Sequence, residues 1–419
     1  MGDSDRPAAV GDSDRLAAVG VESAPKTALR TVLKSALKTA VGCVVGAVET
    51  TVDDAGVTFH RVPAAARARI GDPTLDFMST VPSGVRLEAI TDAPAFELDL
   101  QLTHLVPVGQ ESAGTALDLV VDGTVRERVH TRQETVVHFD FRTRETQVRP
   151  AGTVTLRFEL GEAGTERRIE LWFPVAAAMK LLDVRIPEGT SLRPAPAAGP
   201  LWVHHGSSIS QCSEADRPTG SWPAAVARAA GVSLLNLGLG GQCHLDQFMA
   251  RTIRDLPATA ISLELGINVV NFDSMRERAF VSAFHGFLDT VRDGHPHTPL
   301  LILTPIFCPT VEDRPGPTPY GPDSRFTAIE RPADTSVGCL SLTRIRELLA
   351  SQVELRRAEG DATLHLVHGP DLFGPADTAD LPDGLHPNSA GYRRMAHRFL
   401  PLTFGPQGPL HRPRAPAPG

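Results

Sequence analysis

Leu201-Trp-Val-His-His-Gly-Ser-Ser208-Ile-Ser is an apolar run that ends abruptly in small and hydroxyl residues. Such a run is typical of a buried strand, and its end predicts a serine at the strand exit. Near the other end of the chain, Asp383-Gly-Leu-His386-Pro-Asn388 places a carboxylate three residues before a histidine. Together the two stretches suggest a nucleophile with its base and orienting acid, so an acyl-transfer enzyme is the first hypothesis.

The sequence after residue 200 alternates short apolar runs with helical stretches. The predicted strands are 201–204, 233–237, 260–265, 300–304 and 363–367. The predicted helices are 222–230, 245–254, 276–292, 342–357 and about 389–400. This order predicts a parallel sheet with helices on both faces, a three-layer α/β/α domain over residues 198–403. Ligands bind beyond the carboxyl ends of the strands in such sheets, which is where the serine lies.

Residues 50–195 follow a different rhythm, in which apolar and polar residues alternate with period two. Phe96-Glu-Leu-Asp-Leu-Gln-Leu102 is a clear example, and Asp122-Gly123 is a strong hairpin signal. Helix signals are almost absent from this region. We therefore expect an antiparallel β-sandwich, similar to a jelly roll, joined to the second domain by the proline-rich segment 193–200.

The two ends of the chain are expected to lie outside both domains. Residues 2–10 recur almost unchanged at 11–19, and each copy contains Gly-Asp-Ser, a tripeptide also found in hydrolases. No predicted strand precedes either copy, so neither is assigned a catalytic role. Residues 1–49 are predicted to be a disordered or helical extension, and residues 404–419 a proline-rich tail.

Composition excludes several classes of function. The 419 residues carry a formal net charge of −8 without a basic run, which argues against nucleic acid as a partner. The five cysteines are scattered and form no Cys-x-x-Cys pair, so we expect no disulfide framework, no metal and no cofactor. Reduced thiols and the lack of a membrane-length apolar stretch favour a cytoplasmic protein. Secretion is the alternative, because Ala40-Val-Gly-Cys43 resembles a lipoprotein cleavage site.

Polar or glycine-rich blocks follow successive predicted strands. They are Gly206-Ser207-Ser208, Asn236-Leu-Gly-Leu-Gly-Gly241, Gly266-Ile-Asn268 and the pair Asp383 and His386. Each block taken singly is more often a turn or a cap, but their order along one sheet edge is a joint signal. In this order they resemble the SGNH (GDSL-type) esterase and acyltransferase family, and the resemblance covers essentially the whole C-terminal domain.

The resemblance implies a role for each block. It places the nucleophile at Ser208, the base at His386 and its carboxylate at Asp383. It places the oxyanion donors at the Ser208 amide, Gly241 and Asn268. The physical reasons hold independently, since a hydroxyl needs an adjacent base and the developing oxyanion needs preorganised donors.

The sequence departs from the family pattern at one position. Where the family usually has Gly-Asp-Ser, this chain has Gly206-Ser207-Ser208. The departure leaves open whether Ser207, Ser208 or Ser210 attacks, although alignment to the family favours Ser208. The Gly-x-Ser-x-Gly elbow of α/β-hydrolases does not fit, because position 210 is serine.

Three functions stay open at this point. The first is a serine-dependent acyl-ester hydrolase that takes a small-molecule ester or acyl thioester and forms an acyl-serine. The second is transfer of the acyl group to a hydroxyl acceptor, because the β-sandwich with this motif variant looks like a two-domain bacterial subgroup that includes polyketide-tailoring acyltransferases. The third is a non-catalytic carbohydrate-binding protein. The long segment 308–336, with Tyr320 and Phe326, is either a lid over the site or a solvated insertion.

Overall fold

The structure is a computed structural model that describes residues 32–411, except 141, 142, 144, 322, 333 and 334. Both Gly-Asp-Ser copies and residues 412–419 of the predicted tail lie outside the described residues. The tail prediction is wrong for the start of the segment 404–419, because Leu410 is buried in the core of the second half. Within the described part of the chain, no helix is long and apolar enough to cross a membrane.

The first half is built of strands that alternate buried and exposed side chains. In β11, Val154, Leu156 and Phe158 are buried while the residues between them are exposed. The strands are β1 (Leu33–Ser35), β2 (Val44–Val45), β3 (Glu49–Asp53), β4 (Gly56–His60), β5 (Arg86–Thr91), β6 (Ala95–Pro107), β7 (Thr115–Val121), β8 (Thr124–Thr131), β9 (Thr135–Phe139), β10 (Thr146–Arg149), β11 (Val154–Glu159), β12 (Arg167–Trp172), β13 (Ala177–Pro187) and β14 (Leu192–Pro194). Between them lie helices α1 (Leu37–Val41), α2 (Ala64–Ile70) and α3 (Pro73–Thr80).

These strands form two sheets that enclose an apolar core. One sheet has the order β10-β9-β6-β13-β4-β3, with β1 on β13 and β11 on β6, and the other has the order β14-β5-β12-β7-β8, with β2 on β5. The pairs are antiparallel except for β6 with β9. Stacked rings cross the core, with Phe96 and Phe158 centroids 5.1 Å apart. The prediction of antiparallel sheets before the second domain is confirmed.

The folded part begins earlier than the sequence suggested. Within the predicted extension, β1 pairs with β13 and β2 pairs with β5. Ala40 and Cys43 are buried in the core, whereas Lys34 and Lys38 are exposed. The elements here are two to five residues long, which is too short for a readable periodicity, so their place depends on tertiary pairing.

The second half is a parallel sheet covered by helices. Its strands are β15 (Leu201–Gly206), β16 (Ser233–Gly238), β17 (Ala260–Glu264), β18 (Leu300–Leu303) and β19 (Leu364–Val367). Its helices are α4 (Ser208–Gln211), α5 (Trp222–Ala230), α6 (Gln247–Arg254), α7 (Ile267–Asn271), α8 (Glu277–Gly294), α9 (Leu342–Ala358), α10 (Gly369–Leu372) and α11 (Ser389–Thr403). The predicted strands and long helices are confirmed to within a few residues. The short helices α4, α7 and α10 were not predicted.

The strand order locates the functional edge of this sheet. The order is β16-β15-β17-β18-β19, so the chain reverses its direction of progress between β15 and β17. The carboxyl ends of strands on either side of such a reversal leave a crevice in which ligands bind. The blocks that contain Ser208 and Asn268 follow these two strands directly.

The two halves share buried apolar surface. Val62, Leu75 and Trp172 of the first half belong to the same cluster as Trp202 and Trp222 of the second. The sheets of the first half therefore contribute side chains to the interior that supports the parallel sheet.

Candidate active site

Ser208 is the first residue of α4, immediately beyond the end of β15. Ser207 caps this one-turn helix, because its Oγ accepts the backbone N–H of Ile209 at 3.2 Å. A side chain could not be accommodated at Gly206, since an added Cβ would clash with the Ser210 hydroxyl. Glycine at 206 therefore allows the tight turn that carries Ser208 to the sheet edge.

Ser208, His386 and Asp383 form a continuous hydrogen-bonded chain. Ser208 Oγ lies 2.8 Å from His386 Nε2, and His386 Nδ1 donates to Asp383 Oδ2 at 2.6 Å. Asp383 Oδ1 accepts the backbone N–H groups of Leu385 and His386 at 2.9 and 2.7 Å. Burial alone would raise the pKa of Asp383, but these hydrogen bonds lower it below its usual value. The ionised carboxylate thus orients the imidazole with Nε2 towards Ser208.

The neighbouring serines have other partners. Ser207 and Ser210 are fully buried. Ser207 Oγ donates to Glu264 Oε2 at 2.6 Å, and Ser210 Oγ lies 2.8 Å from His204 Nε2. Of the serines left open by the sequence, Ser208 is the one within hydrogen-bond distance of His386.

A second carboxylate, which the sequence did not reveal, faces His386. Glu214 Oε1 lies 3.9 Å from His386 Nδ1, and Glu214 Oε2 accepts the Tyr392 hydroxyl at 2.7 Å. Burial of the imidazole lowers its pKa, but the Glu214 and Asp383 carboxylates outweigh burial and raise the pKa of His386 to about 9. Burial also raises the pKa of Tyr392, which therefore stays a hydrogen-bond donor to Glu214.

A buried carboxyl group lies behind the serine, although Ser207 replaces the family's aspartate. It belongs to Glu264, the last residue of β17, which is 1% exposed. Glu264 Oε2 accepts the backbone N–H of Ser207 at 2.8 Å and the hydroxyls of Ser207 and Ser210 at 2.6 and 3.2 Å. Glu264 Oε1 is buried and has no hydrogen-bond partner within the part of the chain that the structure describes. Burial raises the pKa of Glu264 despite these hydrogen bonds.

A chain of hydrogen bonds extends this buried network into the sheet. Trp202 Nε1 donates to Ser262 Oγ at 2.9 Å, and Ser262 Oγ lies 2.7 Å from His204 Nδ1. Burial lowers the pKa of His204 to about 3, so the ring is neutral. Each of these groups has a partner when the hydrogen bonds all run in one direction. Ser262 Oγ then donates to His204 Nδ1, His204 Nε2 donates to Ser210 Oγ, and Ser210 Oγ donates to Glu264 Oε2. His204 is thus a hydrogen-bonded core histidine.

Gly241 and Asn268 lie on the neighbouring strand exits. Gly241 has a φ of 69°, a backbone conformation that glycine adopts without strain. The buried Asn268 accepts the backbone N–H of Cys243 at its Oδ1, at 3.0 Å. That contact fixes the orientation of the amide and leaves its nitrogen as the group that can donate to a ligand. The Phe272 ring lies over Gly241 and is 59% exposed.

The long segment 308–336 packs against the histidine side of the site. The Phe326 ring contacts the His386 ring edge-on, with centroids 5.4 Å apart, and its backbone N–H donates to Asp383 O at 2.9 Å. Tyr320 pairs with Phe326 through an isolated β-bridge and a ring contact. Phe326 therefore contacts both His386 and Asp383.

The comparison with known families identifies the second half. Residues 205–394 match the model of the GDSL-like lipase/acylhydrolase family. Residues 205–394 are a GDSL-like lipase/acylhydrolase domain. The family resemblance predicted from the strand-end blocks is therefore confirmed. No curated protein sequence matches the chain.

Solved structures resemble the chain over both halves. The salicylyl-acyltransferase SsfX3 from a tetracycline biosynthetic pathway is 26% identical, with a TM-score of 0.71 over 89% of this chain and 96% of that one. A protein assigned as a GDSL-like lipase from Bacteroides ovatus is 20% identical, with a TM-score of 0.62 over 88% and 96%. An active-site mutant of a family two carbohydrate esterase from Clostridium thermocellum is 15% identical, with a TM-score of 0.53 over 77% and 92%. With this domain, the chain is an ester-acting enzyme.

The buried carboxyl of the GDSL-like domain leads to a stability prediction. Because the pKa of Glu264 is raised in the folded state, folding favours its protonated form, and the free energy of unfolding decreases as pH rises above the unfolded-state pKa of about 4.3. Glu264→Gln removes this ionisation. In thermal unfolding experiments, we expect the Tm of the variant minus the Tm of the wild type to become more positive from pH 5 to pH 8. A Tm difference that does not change with pH would contradict the prediction.

Proposed function

We propose that the protein is a serine-dependent acyl-ester hydrolase that works through an acyl-serine intermediate. The observation that supports this most directly is the hydrogen-bonded order Ser208–His386–Asp383, with Oγ to Nε2 at 2.8 Å and Nδ1 to Oδ2 at 2.6 Å. A hydroxyl that donates to a histidine oriented by a carboxylate is the arrangement that activates serine for attack on a carbonyl.

The proposed reaction has two halves. Ser208 Oγ attacks the ester carbonyl while His386 Nε2 takes the hydroxyl proton, and Asp383 stabilises the resulting imidazolium. The amides of Ser208 and Gly241 and the Asn268 side chain donate to the oxyanion, and each such donor typically lowers the barrier by about 3 kcal/mol. His386 then protonates the leaving alkoxide. In the second half, water loses a proton to His386 and attacks the acyl-serine; the bond between the acyl carbon and Ser208 Oγ then breaks, and His386 returns the proton to Ser208 as the acid leaves.

Substitution of the three residues tests this assignment. Ser208→Ala and His386→Ala should reduce hydrolysis of p-nitrophenyl acetate by at least about 10³-fold, and Asp383→Asn should reduce it severely, because the nucleophile, the base and its orientation are lost in turn. A serine-directed phosphonate, followed by mass spectrometry, should label Ser208 in the wild type.

Ser210→Ala is the matched control and should still be labelled at Ser208. Wild-type rates in Ser208→Ala would move the nucleophile to Ser207 or Ser210. Absence of both turnover and adduct in the wild type is the result expected for the non-catalytic carbohydrate-binding alternative, and it would end the hydrolase proposal.

The pH dependence follows from the charges around His386. Only the neutral imidazole can accept the serine proton, so kcat/KM should rise with pH through the His386 pKa of about 9. Glu214→Gln replaces the second carboxylate by a neutral amide, so the pKa of His386 should fall. The rising limb of the kcat/KM profile should then move to lower pH by about one pH unit. The imidazole resonances of His386 in NMR titrations should shift in the same way.

Glu347→Gln, which neutralises an exposed carboxylate of α9 paired with Arg344, is the control and should leave the profile unchanged. An unaltered profile in Glu214→Gln would show that Glu214 does not set the His386 pKa.

Acyl transfer to an organic hydroxyl is the second candidate. The likeness to the salicylyl-acyltransferase covers 89% of this chain and 96% of that one, so it includes the antiparallel sheets as well as the GDSL-like domain. The exposed Phe272 ring beside Gly241 and the Phe326 ring on His386 are surfaces that suit a planar aromatic acyl group. In this variant of the mechanism, a substrate hydroxyl replaces water in the second half-reaction.

Partition of the acyl-serine separates the two candidates. The enzyme is supplied with p-nitrophenyl acetate or p-nitrophenyl salicylate and with a series of alcohols and polyketide aglycones, and free acid and acylated acceptor are measured. We expect free acid as the main product for the hydrolase. A dominant acylated acceptor, with faster release of p-nitrophenol as acceptor concentration rises, would establish transfer instead.

A further inference from the structure

Arg61 is a fully buried cation supplied by the first half of the chain. It directly follows β4 and is 0% exposed. Among the described residues no ion pair involves Arg61. Burial without a neighbouring carboxylate lowers its pKa to about 9. A cation in such a place needs an acceptor for each of its N–H groups.

The five N–H groups of the guanidinium meet five oxygen acceptors. Two of these belong to its own half, since Nε donates to Val81 O at 2.6 Å and Nη2 donates to Met78 O at 2.9 Å. The others belong to the GDSL-like domain. Nη1 donates to Asn236 O at 3.2 Å and to Gly238 O, and Nη2 donates to Gln211 Oε1 at 3.4 Å.

The acceptors in the GDSL-like domain lie next to the candidate catalytic groups. Gly238 is the last residue of β16 and leads to Gly241, while Gln211 is the last residue of α4, which begins at Ser208. Gln211 Oε1 also accepts the backbone N–H of Gly240 at 2.9 Å. A single guanidinium therefore holds both the loop before Gly241 and the helix of Ser208.

Other residues of the segment 78–84 act on the same two elements. Ser83 Oγ donates to Gln211 O at 2.7 Å and accepts from Asn236 Nδ2 at 3.1 Å. An added Cβ on Gly240 would lie 3.4 Å from Met78 Sδ, so the loop rests directly on α3. The back of the site is thus made by the first half of the chain.

We propose that Arg61 is a positioning residue for the reaction at Ser208, which sets the Gly241 loop and the Ser208 helix at the spacing that the oxyanion needs. The inference rests on the proposed function and deepens it. The antiparallel sheets then belong to the catalytic unit, whatever else they bind. Lysine cannot replace the arginine, because an ammonium has three donors around one nitrogen, whereas the guanidinium reaches five acceptors in a planar fork.

The test compares two buried arginines from the first half of the chain, Arg61 after β4 and Arg86 in β5. In Arg61→Lys we expect kcat for p-nitrophenyl acetate to fall about tenfold to a hundredfold while KM changes less than about twofold, since displaced donors act on the transition state. The affinity for a boronic acid, which forms a tetrahedral adduct with the serine, should fall by a similar factor. Ser83→Ala should change both quantities in the same direction by a smaller factor.

Arg86→Lys is the matched control. Arg86 is also buried, and it donates to Leu234 O at 3.1 Å and Ser233 Oγ at 3.1 Å, at the opposite end of β16. Its kcat and boronate affinity should stay at the wild-type values. Near-UV circular dichroism checks that each variant is folded.

The outcomes separate the inference from the proposed function. A folded Arg61→Lys with unaltered kcat and boronate affinity, or an equal loss in Arg86→Lys, would overturn the positioning role while leaving the hydrolase in place. If Arg61→Lys does not fold, Ser83→Ala decides, and wild-type kcat in that variant would overturn the role. A wild type without turnover or adduct would overturn both proposals.

Discussion

The parallel pairing of β15 with β16 and β17 is the constraint on which the site depends. Parallel strands end at the same edge, so the segments after these strands, with Ser208, Gly241 and Asn268, meet there although up to 60 residues separate them in sequence. Glycine lets the segments at this edge pack closely, since an added Cβ at Gly238 would lie 2.6 Å from the backbone nitrogen of Gln211. The return of the chain through the turn at Asp383 then adds the histidine.

Charge at this edge is distributed in two layers. On the open side, His386 lies between Asp383 and Glu214, whose carboxylates together raise the pKa of the imidazole to about 9. On the buried side, Glu264 accepts hydrogen bonds from Ser207 and Ser210. The first layer tunes the proposed base, and the second fixes the backbone that bears the proposed nucleophile. Water is largely excluded from the second layer, so its polar groups have to satisfy one another.

The antiparallel sheets are joined to this edge by buried polar contacts as well as by apolar ones. Trp172 lies in the same core as Trp202, and Arg86 lies over the Trp172 ring at 4.7 Å. The guanidinium of Arg61 reaches backbone oxygens that a smaller side chain could not reach. Such contacts require the two halves to keep one relative position near Ser208.

The sequence by itself determined the architecture of the second half and the blocks at its strand ends, because continuous apolar runs and glycine-rich exits are local signals. It also determined the alternating strands of the first half. The family resemblance favoured Ser208, but only the tertiary structure brings Ser208 to His386 and gives Ser207 and Ser210 other partners. It likewise decided the places of Arg61, Glu214 and Glu264. Only Glu264 left a trace, as a charge within an apolar strand. Burial and contacts across the fold give these residues their roles, and neither is encoded in local periodicity.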